Sequence, residues 1–434
     1  MKNMSQSPKP SAITSSNRRD SRTWTLYFLA RGRWQLFLGV IFTVWVPAII
    51  FEPDGVGLFN STGVNGVSIA ALLAMLGGFF VVRRMIVFPG INIALLVLPV
   101  FCTCFGISAI ALGSIQPDYP AFQLATSCIL ALVFFCYALV IRQRHYRPRI
   151  GIVPGGGALG LINLEGVEWV CLTTPNEVPQ NVDAIMTDLR ADFTEEWLGF
   201  IAQCALEGLS VYHFQQVKET MTGRVEIENL SENSFGSLMP SSAYVVFKRL
   251  LDLIFAIMAL PVVIPVMILA AIAIRVESPG SPIFTQLRIG YRGLPFTIVK
   301  LRTMRNDMLG AAYTQGNDPR ITRIGRVLRK YRIDELPQVW NVLCGEMSWI
   351  GPRPESAELS SWYEKELGFY SYRHIVRPGI TGWAQVCQGW AALPDDVREK
   401  LHYDFYHIKK FSPWLDIAIA VQTVRTILTG KGAR

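Results

Sequence analysis

Two adjacent carboxylates, Asp334 and Glu335, are the residues whose type and setting most clearly suggest chemistry. They lie in a strongly basic stretch: residues 288–353 contain twelve Lys and Arg against five Asp and Glu, while the whole chain carries +8. Basic groups that converge on two acids suit a phosphate site, in which one acid holds a divalent cation and the other reacts. The alternative is an exposed, salt-bridged pair on a solvated helix, because such pairs are often structural.

The residues that follow the pair predict how it is presented. Asp334 has the position of a helix N-cap, and Pro337 would then lie in the first helical turn. This predicts that both carboxylates point into one cavity. It also predicts that the helix N-terminus keeps Asp334 ionised at neutral pH.

Two elements before the pair are predicted to bring basic residues towards it. Residues 298–305 alternate as a strand does, with Lys300 and Arg302 on one face. Residues 320–331 are predicted to be helical, with Arg329 and other basic residues in the second half.

Two rigid turns after the pair each present one arginine. Gly351-Pro352-Arg353-Pro354 is the first, and the stretch from Arg377 to Trp383 is the second. A guanidinium suits phosphate because it can donate two parallel hydrogen bonds.

The composition indicates a membrane protein with soluble parts: 51% of residues are hydrophobic and only 17% are charged. Four apolar runs are each near the ~20 residues that cross a bilayer. Arginines precede the first run and follow the second and fourth, whereas the two intervening outer loops have no Lys or Arg, so both ends of the bundle are predicted to be cytoplasmic. The runs are about Trp34–Phe51, Val67–Val82, Ile91–Leu112 and Phe122–Ile141.

The two ends of the chain carry weaker signals. Residues 1–22 are polar and are predicted to form a disordered cytosolic tail, and they lack the features of a signal peptide. Residues 414–428 are predicted to form an amphipathic helix that lies on the membrane surface or packs on the core.

A fifth apolar segment, Leu250–Ile274, is long enough to span but has cations on both sides. Lys248 and Arg249 precede it, and a straight span would place the basic region outside the cell, against the charge rule. A break near Pro265 would let the segment enter and leave on the cytoplasmic side. A straight fifth span with proline kinks is the alternative.

Residues 149–230 have the strand–helix–strand alternation of a small α/β unit. The predicted strands are Arg149–Val153, Trp169–Thr173, Ala184–Thr187 and Leu209–His213, with a helix over Glu195–Leu206. Gly155–Gly160 matches G-x-G-x-x-G formally. Only eight residues separate it from the next strand, too few for the crossover helix of a dinucleotide site. A Rossmann-like module with a structural glycine turn is expected.

Several classes of site are disfavoured. The eight cysteines include no Cys-x-x-Cys pair, and the five histidines show no ligand spacing, so neither a disulfide framework nor a zinc site is indicated. The pI of about 9.1 raises nucleic-acid binding. The positive charge is interleaved with membrane segments and accompanies no known binding motif, so no nucleic-acid partner is expected.

Residues 244–430 resemble the bacterial sugar transferase family, the monotopic phosphoglycosyl transferases. The resemblance rests on many ordered motifs over about 190 residues. The first half of the chain resembles the long polyprenyl-phosphate hexose-1-phosphate transferase branch in architecture. The matching stretches are Lys248–Asp252, Pro265, Ser278–Gly280, Lys300–Met304, Asp334–Gln338, Asn341–Leu343, Gly345–Ser348, Gly351–Pro354 and Pro378–Gln385.

The resemblance implies roles for the residues singled out above. Asp334 matches the nucleophile, and Glu335 matches the acid that helps to place Mg²⁺. The expected substrate-binding residues are Lys300, Arg302, Arg329, Arg353 and Arg377, and those of the re-entrant membrane helix are Lys248, Arg249, Asp252 and Pro265.

The implied reaction is the transfer of a sugar 1-phosphate, expected to be a hexose phosphate, from a UDP-sugar to undecaprenyl phosphate. UMP is released, and an aspartyl-phosphosugar is the intermediate. This would be the first membrane step of exopolysaccharide, capsule or O-antigen synthesis. A non-enzymatic scaffold or regulator of envelope assembly, with the α/β module as a ligand sensor, is the alternative. The resemblance leaves homo-oligomerisation open.

The expected fold is that of a mostly α-helical protein of the bacterial inner membrane, with its catalytic domain on the cytoplasmic face. Its parts would be a four-helix transmembrane bundle, a small Rossmann-like α/β cytosolic module, and a catalytic domain with a re-entrant membrane helix and interfacial helices. The expected boundaries are 1–22 for the tail, 23–142 for the bundle, 143–240 for the module and 241–434 for the catalytic domain.

Overall fold

Membrane-length helices are the main feature of the computed structural model, which describes residues 32–51, 66–89, 93–145, 147–175, 179, 181–226, 239–305, 318–388 and 394–429. Within these residues, five helices are long and apolar enough to cross a membrane. Four correspond to the predicted apolar runs, and the expectation of a mostly helical membrane protein is confirmed. These four are α1 (Gly32–Phe51), α2 (Gly66–Met85), α3 (Ile93–Ile115) and α4 (Ala121–His145). The predicted tail, 1–22, lies outside the described residues.

The chain divides into two compact units. The first is formed by the described residues within 1–75 and 107–147, and the second by those within 76–106 and 148–434. The four-domain division predicted from the sequence stays a prediction.

In the first unit, α1 packs closely against α4. A Cβ on Gly39 would lie 2.9 Å from the ring of Phe135, so a larger residue at position 39 would push the helices apart. Phe42 and Phe134 stack with their ring centroids 5.6 Å apart. The middle of α1, Ile41–Trp45, is a π-helical turn.

The second unit contains the predicted α/β module. Its four strands form one parallel sheet, in which the first strand along the chain lies between the second and the third, and the fourth lies beside the third, as in doubly wound α/β folds. The predicted strands and helix are confirmed. They are β1 (Arg149–Ile152), β2 (Glu168–Cys171), β3 (Ala184–Thr187), α5 (Glu195–Leu206) and β4 (Ser210–His213), followed by α6 (Phe214–Thr222).

The glycine-rich loop after β1 leads into a 3₁₀ helix, Gly156–Leu161, and not into a crossover α-helix. Gly157 donates its N–H to the Asp188 carboxylate over 2.9 Å, so the chain's own acid occupies the place where such a loop would bind a phosphate. A Cβ on Gly157 would lie 2.7 Å from the ring of Phe214. These contacts give the glycines a packing role, as the sequence predicted.

The fifth membrane-length helix, α7 (Ser242–Glu277), begins the region expected to be the catalytic domain, 241–434, which is called the catalytic part below. It continues through Pro261 and Pro265, so the break expected near Pro265 is absent. The i→i−4 bonds on either side maintain the helix, because each proline removes only its own hydrogen bond. One stripe of α7 is buried against the catalytic part. Its residues are Lys248, Asp252, Ala256, Val263, Ala270 and Ile274.

Short elements form the rest of the catalytic part, around two-stranded sheets. The strands β5 (Ile283–Ile289) and β6 (Pro295–Leu301) pair antiparallel, and β7 (Ser348–Ile350) and β8 (Gly379–Thr381) pair parallel. The helices are α8 (Arg323–Lys330), α9 (Gln338–Cys344), α10 (Ala357–Glu366), α11 (Trp383–Cys387), α12 (Pro394–Lys409) and α13 (Pro413–Thr429).

The last helix, α13, is the amphipathic helix predicted over residues 414–428. Leu415, Ala418 and Ile419 are fully buried, so this face packs on the core. Ile417 and Val424 remain exposed on the other side.

Candidate active site

The two acids lie on a single 3₁₀ turn, Ile333–Glu335, between α8 and α9. The turn is possible because Arg332 adopts a left-handed conformation, with φ 57°. Pro337, and not Asp334, is the N-cap of α9, so the N-cap prediction is wrong. The tight turn still places two consecutive carboxylates beside the basic elements.

Three cations converge on Oε1 of Glu335. Arg353 donates from NH2 over 2.7 Å, and Lys300 and Arg332 each approach to 3.4 Å. Glu335 is only 5% exposed. Burial by itself would raise the pKa of Glu335, but Arg353, Lys300 and Arg332 outweigh it and hold that pKa well below its usual range. Glu335 is therefore a fixed anion.

Asp334 has a different environment from its neighbour. Its Oδ1 is buried and has no hydrogen-bond partner within the described parts of the chain. Burial, and then the negative charge of Glu335, raise the pKa of Asp334 to about 6, although Lys300, Arg329 and Arg332 oppose this. The expectation that a helix N-terminus stabilises ionised Asp334 is therefore wrong, because its pKa is raised; with a pKa of about 6 the carboxyl is still mostly ionised at neutral pH. An unpartnered, weakly acidic carboxylate is suited to act as a nucleophile.

Lys300 and Arg329 complete the basic surroundings of the pair. Burial, and then repulsion by Arg353, lower the pKa of Lys300 to about 8. Arg329 donates from Nε to the Thr303 hydroxyl over 2.8 Å, and its charge favours ionised Asp334. The predicted Lys300, Arg329 and Arg353 thus surround the acids, and Arg332 joins them.

Arg353 is itself held in place by a buried network that the sequence did not indicate. NH2 of Arg373 donates to the Arg353 carbonyl over 2.7 Å and to Asp404 over 2.8 Å, and NH1 donates to the Tyr370 hydroxyl over 2.9 Å. Arg373 and Asp404 are 31 positions apart, and no motif joins them. Only the fully buried charge pair identifies this support.

Two of the predicted substrate-binding arginines lie away from the acids. Arg302 donates to the carbonyls of Ser278 and Pro279, each over 2.8 Å. Arg377 donates from Nε to the Gly345 carbonyl over 3.0 Å, at the far end of α9 from the acid pair. Their contacts support the backbone, and their roles in substrate binding stay predictions.

The motif at the start of α7 anchors this helix to the catalytic part. Lys248 pairs with Asp416 over 2.6 Å. Arg249 donates to the carbonyls of Val342 and Leu343 over 2.6 and 3.0 Å, and the Asp252 carbonyl accepts from the Trp349 indole over 3.1 Å.

Mg²⁺ is the cation expected at the acid pair. Among the described residues, no three His, Cys, Asp or Glu side chains are grouped as ligands. Mg²⁺ needs only one or two carboxylates when substrate phosphates and water supply the rest. All three cations contact Oε1 of Glu335, and Oδ1 of Asp334 has no hydrogen-bond partner among the described residues, so the pair retains carboxylate oxygens that fit a hard cation.

Residues 243–430 match the family described as bacterial sugar transferase. The UDP-N-acetylgalactosamine-undecaprenyl-phosphate N-acetylgalactosaminephosphotransferase of Aeromonas hydrophila is 42% identical over 404 residues, which cover 92% of this chain and 95% of that protein. The chain therefore belongs to the bacterial sugar transferase family, and the expectation that it is an enzyme is confirmed.

Two further relatives match less than half of the chain. The UDP-glucose:undecaprenyl-phosphate glucose-1-phosphate transferase of Caulobacter vibrioides is 41% identical over 202 residues, covering 46% of this chain and 76% of that protein. The Escherichia coli protein of the same name is 40% identical over 192 residues, covering 43% and 41%. The Aeromonas protein thus aligns with nearly the whole chain, and the other two relatives with less than half of it.

Proposed function

We propose that this enzyme transfers a sugar 1-phosphate from a UDP-sugar to undecaprenyl phosphate and releases UMP. The observation that carries the proposal is the unequal acid pair: Oδ1 of Asp334 has no hydrogen-bond partner in the described part of the chain, and Glu335 is fixed by Arg353 and two other cations. Such a pair provides one carboxylate for attack and one for electrostatic organisation. The names of the three relatives support the same substrates.

The reaction has two displacements at the sugar-bearing phosphorus. Asp334 attacks, an acyl phosphate bond forms, and the bond to the UMP oxygen breaks with its electron pair on UMP. A phosphate oxygen of undecaprenyl phosphate then attacks the same phosphorus, and the bond to Asp334 breaks. The carboxylate is regenerated, so Asp334 divides one difficult transfer into two easier ones.

The basic residues lower the cost of bringing an anion to a carboxylate. Arg353, Lys300, Arg332 and Arg329 surround the acids and favour the negative charge that develops on the leaving UMP. Glu335 keeps Arg353 and Lys300 in place before substrate arrives. Mg²⁺, which Glu335 is proposed to help hold, would neutralise the diphosphate and polarise its phosphoryl oxygens.

The donor is proposed to be a UDP-hexose, and a UDP-N-acetylhexosamine is the preferred candidate. The relative that aligns over nearly the whole chain is named for N-acetylgalactosamine. The two relatives that align over less than half of the chain are named for glucose. UMP release from a panel of UDP-sugars, with undecaprenyl phosphate and Mg²⁺, separates these donors.

We also propose that α7 is re-entrant and that the catalytic part lies on the cytoplasmic face of the inner membrane. Both ends of α7 bond to residues 278–429, whose described part contains no candidate span. The first end pairs with Asp416, and near the second, Glu277 accepts from the N–H groups of Arg323 and Ile324 over 2.7 and 3.0 Å. A helix tied at both ends to one such region returns to the side it left. In this proposal Pro261 and Pro265, which lie inside the continuous helix, would bend it without breaking it.

Mass spectrometry tests the two-step chemistry. Purified enzyme is incubated with UDP-sugar and Mg²⁺ without lipid, and we expect a phosphosugar adduct on the peptide that carries Asp334. Asp334→Asn keeps the side-chain shape but removes the nucleophile, so the adduct and UMP release should both disappear. Normal turnover by Asp334→Asn, or UMP release that requires lipid and leaves no adduct, would establish direct transfer instead.

A further inference from the structure

The α/β module is joined to the catalytic part by the segment that directly follows α6. The N–H of Val225 donates to the His402 carbonyl over 3.0 Å, and the Val225 side chain is buried in the same apolar core as Trp383. Two ion pairs flank the joint. They are Arg224–Glu399 at 3.2 Å and Lys409–Glu219 at 2.8 Å.

Trp383 reaches across this joint to the module. It is 1% exposed, and its indole N–H donates to the Gly223 carbonyl over 2.9 Å. Gly223 has φ 69°, and a Cβ there would lie 2.8 Å from Pro89 and 3.1 Å from the Trp383 ring. Only glycine therefore brings a backbone carbonyl to this position without displacing Trp383.

From Trp383 a short backbone path leads to the active site. The residue before it, Gly382, packs so tightly on Gly351 that a Cβ would lie 2.2 Å from the Gly351 carbonyl oxygen. Gly351 donates its N–H to Thr381 over 2.9 Å, and Gly379 donates to Pro352 over 3.0 Å. Arg353 directly follows Pro352 in the chain, and its side chain donates a hydrogen bond to Glu335.

We propose that Gly223 and Trp383 are positioning residues, through which the α/β module holds the Arg353 turn in place. The glycines along this path are packed too closely to move independently. A displacement of Trp383 would therefore also displace Gly351 and then Arg353. The 2.7 Å contact between Arg353 and Glu335 is the catalytically relevant end of this path. The module thus contributes to the site without binding substrate. The kinetic consequence rests on the proposed function.

The kinetic test uses Gly223→Ala and Trp383→Phe, with Gly208→Ala as the matched control. Gly208 lies in the same module with φ 84°, but a Cβ there meets no atom within 4 Å, so the control carries the backbone strain without the contact. We expect kcat for UMP release to fall about tenfold in both test variants, the effect of one lost buried hydrogen bond, with little change in KM. The control should keep its kcat.

Combination with Arg353→Ala separates positioning from general damage. If Gly223 and Trp383 act through Arg353, their substitutions should cause no further loss once Arg353 is gone, because residues on one path are not additive. Losses that multiply, or a Gly208→Ala variant as impaired as Gly223→Ala, would overturn the proposal.

Hydrogen–deuterium exchange tests the same path without reference to activity. The amides of Gly351 and Gly379 should exchange faster in Gly223→Ala and Trp383→Phe than in the parent protein or in Gly208→Ala. Unchanged exchange of the peptides that carry these amides would refute the path. A parent protein that releases no UMP would instead disprove the proposed function, while the exchange result still decides the inference.

Discussion

The pH dependence of transfer should reveal the two groups whose pKa values the site moves towards neutrality. Asp334 must be ionised to attack, and its pKa is raised to about 6; Lys300 must be protonated to support Glu335, and its pKa is lowered to about 8. Activity should therefore fall as the pH drops through 6 and as it rises through 8. One pH unit beyond either value leaves about one tenth of the group in its active form, so kcat/KM should fall about tenfold at about pH 5 and about pH 9.

Lys300→Arg isolates the alkaline limb. Arginine keeps the positive charge at every pH of the assay, so the fall near pH 8 should vanish while the acid limb near pH 6 remains. The assay is the initial rate of UMP release at limiting UDP-sugar, with constant ionic strength and saturating Mg²⁺. Lys330→Arg makes the same chemical change on an exposed residue of α8, and it should leave both limbs in place.

Two results would contradict this assignment of the limbs of the pH profile. If Lys300→Arg is active but still loses activity near pH 8, the alkaline limb belongs to another group. If the acid limb is absent from the parent enzyme, the pKa of Asp334 is not raised towards neutrality during turnover.

The remaining predictions concern Arg353 and the topology of α7. Arg353→Ala should lower kcat by ~10²–10³, because it removes a preorganised contact to developing charge, while Arg326→Ala, a change of an exposed arginine on α8, should be close to neutral. Ser242 and Ser281 are exposed and lie beyond the two ends of the apolar stretch of α7. In a protein without the eight native cysteines, Ser242→Cys and Ser281→Cys should both react with a thiol reagent only from the cytoplasmic side. Reaction of the second position from outside would show that α7 spans the membrane.

Periodicity and motif order predicted much of this structure because the deciding forces are local. The helix Glu195–Leu206 and the strand Ala184–Thr187 have their predicted bounds, since each is a regular apolar pattern bounded by turn residues. The cluster of Lys300, Arg329 and Arg353 around the acids was predicted by the resemblance, and the structure brings these three together.

The sequence-based predictions are wrong where contacts between distant parts of the chain determine the local conformation. Asp334 has the residue type of an N-cap, but the left-handed Arg332 tightens the chain into a 3₁₀ turn and moves the cap to Pro337. Pro265 has the chemistry of a helix breaker, yet α7 continues through it while one of its faces is buried on the catalytic part. The role of Arg373 is visible only from its buried partners, because nothing in the sequence indicates that it donates a hydrogen bond to the Arg353 carbonyl.

The glycines around the Arg353 turn differ in kind from those of the α/β module. A Cβ on Gly157 would meet the side chain of Phe214, so a smaller neighbour could in principle compensate for a larger residue there. A Cβ on Gly379 or Gly382 would instead meet the backbone of Gly351, at 2.0 and 2.2 Å. No second substitution can shrink a backbone, so a change at these two positions has no local suppressor. A larger residue at Gly157 can therefore be accommodated by a change in a neighbouring side chain, whereas one at Gly379 or Gly382 would require the backbone of the Arg353 turn to move.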